Sequence, residues 1–210
     1  MANRFKDKGV SILELTDDTT DSIAEATTSA RDAGINNVKY RQMDVTDLSS
    51  LDADSFDLIH AHQVMLHLKD PVSPLKQLRR IVKPKGIIGI RDNFSLYWLE
   101  ATPAMQHLLD NRDKLMMHPS GGRANHIWMH EAGFPYEDIT TGSAAWEFSG
   151  PEGRKIWVQG GKDSSRAVGL KVGFEDNEFY DQLVKDWEEW ETNDKGRVVG
   201  LDSWVVATKS

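Results

Sequence analysis

No cysteine occurs among the 210 residues. Disulfides, thiolate metal sites and cysteine nucleophiles are therefore excluded. No stretch approaches the roughly 18–20 apolar residues of a membrane span, so no membrane partner is expected. The opening residues MANRFKDKG lack the apolar segment of a secretory signal, which makes the cytoplasm the expected location. Basic charge is in deficit: 25 Lys and Arg stand against 33 Asp and Glu, a net charge of −8. An acidic chain repels polyphosphate, so no nucleic-acid partner is expected. The one dense basic run, RRIVKPK at residues 79–85, reads as a solvated helix end. Also missing are a G-x-S-x-G elbow, a P-loop and any G-x-G. Their absence counts against serine-hydrolase and P-loop chemistry.

What is present suits one domain over residues 1–210, with hydrophobic residues at 39%, enough to bury a core. GVSILEL (9–15) is a short β-prone run. It is followed by a helix that Thr16, Asp17 or Asp18 can cap and Gly34 ends. NVKYRQMDV (37–45) and SFDLIHAHQV (55–64) read as the next strands, and DPVSPLKQLRRIVKPKG as a helix bounded by prolines. GIIGIRD (86–92) is a fourth strand. Strand and helix alternate with short connections, which predicts an α/β fold with a mainly parallel sheet. Residues 94–120 read as helix plus loop, RANHIWMHEAGF as a helix stopped by Gly133, and DITTGSAAWEFSG as a strand. NEFYDQLVKDWEEWETNDKG places Phe179, Leu183, Trp187 and Trp190 on one helical face. DSWVVATKS closes the chain as an antiparallel strand. The tryptophan-rich end reads either as plain core or as a wall for an apolar acceptor.

In open α/β sheets ligands sit at the carboxyl ends of the strands. Glu14 ends the first strand, where a carboxylate can accept hydrogen bonds from a ribose diol. Asp44 ends the second, where it can accept one from an adenine amino group. HAHQ (60–63) ends the third. Together they outline a nucleoside pocket, although an acid after a strand also serves as a plain helix cap. His60 and His62, at i and i+2, share one strand face and could pair on a metal. The remaining ligand spacing fits no recognised metal motif, so no metal is expected.

NVKYRQMDVTDL, the run from SFDLIHAHQVMLHLKDP through KPKGIIGIRD, HPSGGRANHIWMHEAGF and the W-x-x-W of Trp187 and Trp190 carry a resemblance. From about residue 10 onward the chain resembles the class I S-adenosylmethionine-dependent methyltransferases, in the small-molecule, ubiquinone/menaquinone-biosynthesis-type branch. The resemblance implies a Rossmann-like fold, mostly parallel with an antiparallel C-terminal strand. Residues 1–93 would form a truncated cofactor-binding half, and 94–210 a substrate-side half with C-terminal helices and closing strand. It implies S-adenosyl-L-methionine as cofactor and methyl transfer to an O, N or C atom of a small-molecule, secondary-metabolite-like acceptor. Glu14, Asp44, Val45, Ala61 and His62 would hold the cofactor. His62 and His67 are the candidate general bases, and Asp92 and Arg123 would shape the acceptor pocket. FDLIHAHQV becomes the family's fourth strand.

The family begins with a strand and an acidic-x-G-x-G-x-G loop whose glycines admit the cofactor's amino-acid portion. Here about nine residues precede the strand matching the family's second, so the first strand–helix unit is expected to be missing. That strand lies mid-sheet. Without it the second strand must pair with the fourth, borrow a strand from another chain and so form a homodimer, or leave an open edge. Two further readings follow: a methyltransferase-like protein that binds a metabolite or guides a cyclisation or rearrangement, and a pseudoenzyme partner subunit.

Overall fold

The computed structural model describes residues 12–16 and 20–210. In chain order these form β1 (Ile12–Thr16), α1 (Thr20–Asp32), β2 (Val38–Gln42), β3 (Phe56–His62), α2 (Val72–Ile81) and β4 (Val82–Leu99). There follow α3 (Pro103–Asp110), the single turn α4 (Arg112–Leu115), α5 (Asn125–Glu131), β5 (Ile139–Phe148), α6 (Pro151–Val172), α7 (Asn177–Thr192) and β6 (Arg197–Thr208).

Four strands make the central sheet, in the order β3-β4-β6-β5. β3 pairs parallel with β4, while β6 pairs antiparallel with both β4 and β5. Thus β3, β4 and β5 run one way and only the closing strand runs against them. β1 and β2 form a separate parallel pair. Of the three outcomes open to the interrupted sheet, the described residues show unjoined edges: β1 pairs only with β2, and β3 only with β4. Among the described residues, one face of β3 and β4 is also largely exposed. Leu58 and Ile87 are 53% and 38% exposed, and His60 and His62 lie on that same face.

Two apolar cores hold the fold. One packs α2 and α5 on the buried sheet face through Leu75, Leu78, Ile88, Ile90, Met129 and Val205. The other packs α3, α6 and α7 through Met105, Leu108, Val158, Tyr180, Trp187 and Trp190. β4 and β6 run through both. Residues 94–99 continue β4 rather than entering a helix, and this corrects the helix-plus-loop expectation. FSLYWL alternates: Leu96 and Trp98 pack into the second core, and Tyr97 and Leu99 point outward. Pairing of Ser95 to Leu99 with the first half of β6 then fixes the extended form.

Where β5 meets β6, each tryptophan lies over a glycine of the other strand. Gly142 is opposite Trp204, and Trp146 is opposite Gly200. A Cβ at either glycine would fall 2.1 Å from the facing indole. Gly200→Val is therefore expected to lower stability by about 1–3 kcal/mol through overpacking, read as a lower urea midpoint. An unchanged midpoint would show that the indole is free to swing away.

Candidate functional site at the carboxyl ends of the strands

β3 ends at His62, and the next residue turns the chain sharply. Gln63 takes a left-handed backbone (φ 56°), unusual for a side chain other than glycine. Three bonds hold it there. Its amide donates to the Arg91 carbonyl at 2.8 Å, its Oε1 accepts from the Asn93 amide at 3.1 Å, and its Nε2 donates to Asp202 at 3.4 Å. Strained residues fixed in this way cluster at functional sites. β4 carries a register shift between Asn93 and Ser95, a bulge at the same level.

The result is a buried polar seam at the level where β3 ends and β4 bulges. Asp92, Asn93 and Asp202 are 0%, 6% and 1% exposed. Arg91 Nε donates to Asp202 at 2.8 Å. Arg112 donates to Asn93 Oδ1 at 2.9 Å and to the Pro119 carbonyl at 2.7 Å, and burial lowers its pKa. Asp92 is the residue of this group with least compensation. Neither carboxylate oxygen makes a hydrogen bond of full geometry. Burial raises its pKa to about 6, against smaller opposing effects from the nearby Asn125 side chain and the Val64 and Leu66 amides. The neighbouring Asp202 charge adds to the rise.

The expected site residues fall as follows. Ala61 and His62 end β3, and His62 is opposite Arg91 in the register, so they lie beside the seam. Partial burial, followed by repulsion from Arg91, lowers the His62 pKa; His60 shifts the same way. A neutral imidazole at neutral pH can accept a proton. His67 sits exposed in a short 3-10 turn over Met65–His67. Among the described residues, no group of three or more His, Asp or Glu could hold a metal. Asp44 lies just past β2 and is exposed; its Oδ1 accepts from the Thr46 amide and hydroxyl, both at 2.7 Å. Those bonds lower its pKa, so it stays ionised. Val45 follows it, partly buried. The side chain of Glu14 lies outside the described residues. Arg123 is not brought onto Asp92: it is exposed, and its guanidinium lies 4.8 Å from the centre of the Phe94 ring.

Sequence reading did not single out Asn93, Arg112, Asn125 or Asp202. A signal was there, since RDN and D break otherwise apolar strands. Which breaks meet is fixed only by the pairing of Asn93 with Asp202 across β4 and β6.

A mixed α/β sheet with one reversed closing strand, and with polar side chains gathered where β3 ends and β4 bulges, defines a Rossmann-like fold. Residues 13–146 match the model of a methyltransferase domain family, and the chain belongs to that family. The cofactor of the family is S-adenosylmethionine, which a solved neighbour of similar fold carries. An uncharacterised methyltransferase of Schizosaccharomyces pombe is 28% identical over 185 residues, covering 83% of this chain and 66% of its own length. The chain thus spans just under two thirds of that relative. The YcgJ protein of Bacillus subtilis is similar in fold, with a TM-score of 0.61 at 16% identity, covering 99% of this chain and 86% of its own. The [4+2]-cyclase SpnF gives a TM-score of 0.54 at 19% identity, covering 96% of this chain and 69% of its own.

Proposed function

We propose that this chain carries the methyl-transfer domain of an enzyme acting on a small-molecule acceptor, a secondary metabolite in type. The observation that supports this most directly is the buried polar seam beside His62 in a chain of this family. Asp44 and Val45 would hold the adenine, Ala61 and His62 would line the cofactor, and Glu14 would take the ribose. Asp44 suits that role, being exposed, ionised, and committed to Thr46 through one carboxylate oxygen. The amino-acid end of the cofactor finds no G-x-G cradle in this sequence. Bound S-adenosylmethionine supplies the methyl group and a sulfur leaving group. The chain's own part is orientation of the acceptor and proton acceptance at His62 or His67.

The test is calorimetric titration with S-adenosylmethionine and S-adenosylhomocysteine. Micromolar binding, weakened about 10-fold or more by Asp44→Ala, is the expected result. No binding at millimolar ligand by a chain folded by circular dichroism would favour the second reading, in which the fold binds a metabolite or guides a cyclisation. The similarity in fold to a cyclase is consistent with that alternative. A cytoplasmic location fits both readings: no described helix is long and apolar enough to cross a membrane. Homodimerisation through the unjoined edges of β1 and β3 also belongs to the proposal, and sedimentation would reveal a doubled mass.

A further inference from the structure

Three polar side chains, two of them buried and the third partly buried, lie around residues 118–122 without full hydrogen bonding among the described residues. They are Asp92 on β4, Asn125 at the start of α5, and His118. Both carboxylate oxygens of Asp92, both side-chain amide atoms of Asn125 and Nε2 of His118 lack partners at good hydrogen-bond geometry, and Asp92 is bonded only loosely by the Asn125 side chain and the Val64 and Leu66 amides. Asp92 and Asn125 are 0% and 2% exposed. They are one locality: Asn125 is close enough to Asp92 to favour its charge, as is the Leu66 amide, while the Leu66 carbonyl accepts from the His118 amide at 2.9 Å. An apolar wall adjoins them, with Trp128 5.0 Å from the His118 ring and Leu66 buried beside Gly121. Buried polar atoms without partners cost stability, and each calls for an explanation.

We propose that these three residues form the recognition point for the acceptor, and that it takes a neutral hydroxyl or an amine on an apolar or aromatic body, not a carboxylate or phosphate. This rests on the methyl-transfer reading for its role, but the binding chemistry stands on the residues. A hydroxyl or amine donates to Asp92, while the Asn125 amide and His118 can donate or accept. An anion would meet Asp92 with Asp202 behind it. The cations nearby are engaged: Arg91 with Asp202, Arg112 with Asn93 and Pro119, and Arg123 over Phe94. The cover is close, since a side chain at Gly122 would strike the Asp92 and Asn93 carbonyls, so entry requires residues 118–122 to lift.

A matched series tests it: benzyl alcohol, benzylamine and benzoate, titrated calorimetrically into the whole chain with and without S-adenosylhomocysteine. At pH 8 the alcohol and the amine are expected to bind about tenfold or more tightly than benzoate. Asp92→Asn closes most of that gap, and His118→Gln weakens the alcohol. Benzoate binding by the unaltered chain improves as pH falls through about 6, where Asp92 takes a proton because burial, aided by the Asp202 charge, outweighs the opposing hydrogen bonds from Asn125 and the Val64 and Leu66 amides. Benzoate bound as tightly as the alcohol, no binding by any probe at millimolar concentration, or a ranking unmoved in a folded Asp92→Asn would each overturn the proposal. The ranking in the unaltered chain decides even if the variant misfolds. Failure of S-adenosylhomocysteine to bind while the ranking holds would instead count against methyl transfer alone.

Discussion

Asp92→Asn is expected to make the fold more stable at pH 8, by about 3 kcal/mol at most. The carboxyl group is wholly buried and its pKa rises from 3.8 to about 6. Between those values the folded chain keeps a proton that the unfolded chain has released. The folded state therefore binds more protons, and stability falls as pH rises across this window. Above about pH 6 the full penalty of a buried charge is in force; below about pH 4 it has vanished. Asn is nearly isosteric, carries no charge, and can still meet the Asn125 amide.

Urea unfolding of both proteins at pH 5 and pH 8 checks the sign. The advantage of the variant should be large at pH 8 and smaller at pH 5. Exposed carboxylates act the opposite way. Asp44, Asp47 and Glu147 have lowered values from hydrogen bonds to Thr46, Ser49 and Ser149, so the stability they lend is lost as pH falls. Comparing variant and parent at one pH removes their contribution. A variant no more stable than the parent at pH 8 would mean that the Val64 and Leu66 amides already hold the charged form well. Asp92 would then be a turn-fixing residue and not an underused carboxylate. A stabilised variant that also loses its preference for benzyl alcohol would show a stability sacrifice tied to ligand recognition.

The first half of the fold was readable because its signals are local. Gly34, Pro71 and Pro74 punctuate short apolar runs, and each run became the element expected, with ends shifted by a few residues. Two elements escaped for reasons of tertiary packing. The second half of β4 is held open by β6, about a hundred residues away in sequence. α6 has glycines at 153, 160, 161 and 169, a composition that argues against helix. One of them is required by contact: a Cβ at Gly169 would sit 1.5 Å from the Tyr180 hydroxyl. The helix lies flush against the aromatic layer, and packing outweighs its poor propensity. The site was legible in part. His62 stands at the end of β3, and Asp92 lies beside the β4 bulge at the same level, where the sequence reading ends that strand. Nothing in HPSGGR reveals that the Arg123 side chain lies over Phe94 rather than against Asp92. Gln63 was visible as a strand end, but not as the left-handed turn that ties β3 to β4 and β6.

Trp187→Ala should produce the largest loss of stability, about 3–5 kcal/mol. The ring is 1% exposed and lies among Trp98 at 5.0 Å and Trp190 at 6.1 Å, both edge-on. Its Nε1 has no hydrogen-bond partner of full geometry, so truncation removes packing and little else. Trp190 differs, since its Nε1 donates to the Leu99 carbonyl at 2.9 Å, and its replacement would also orphan an acceptor. A domain stable by only about 5–15 kcal/mol would lose a large share of its margin. Trp187→Phe keeps a ring of smaller volume and should recover more than half of the loss. Denaturant midpoints of the three proteins measure this directly. The outcome decides between the two sequence readings of the tryptophan cluster. A loss of several kcal/mol, graded from Phe to Ala, is the behaviour of a close-packed core. A loss below about 1 kcal/mol, with altered binding of an aromatic probe, is the behaviour of a pocket wall that rearranges around an apolar acceptor. Burial of Trp187, Trp190 and Tyr180 together in one cluster favours the core.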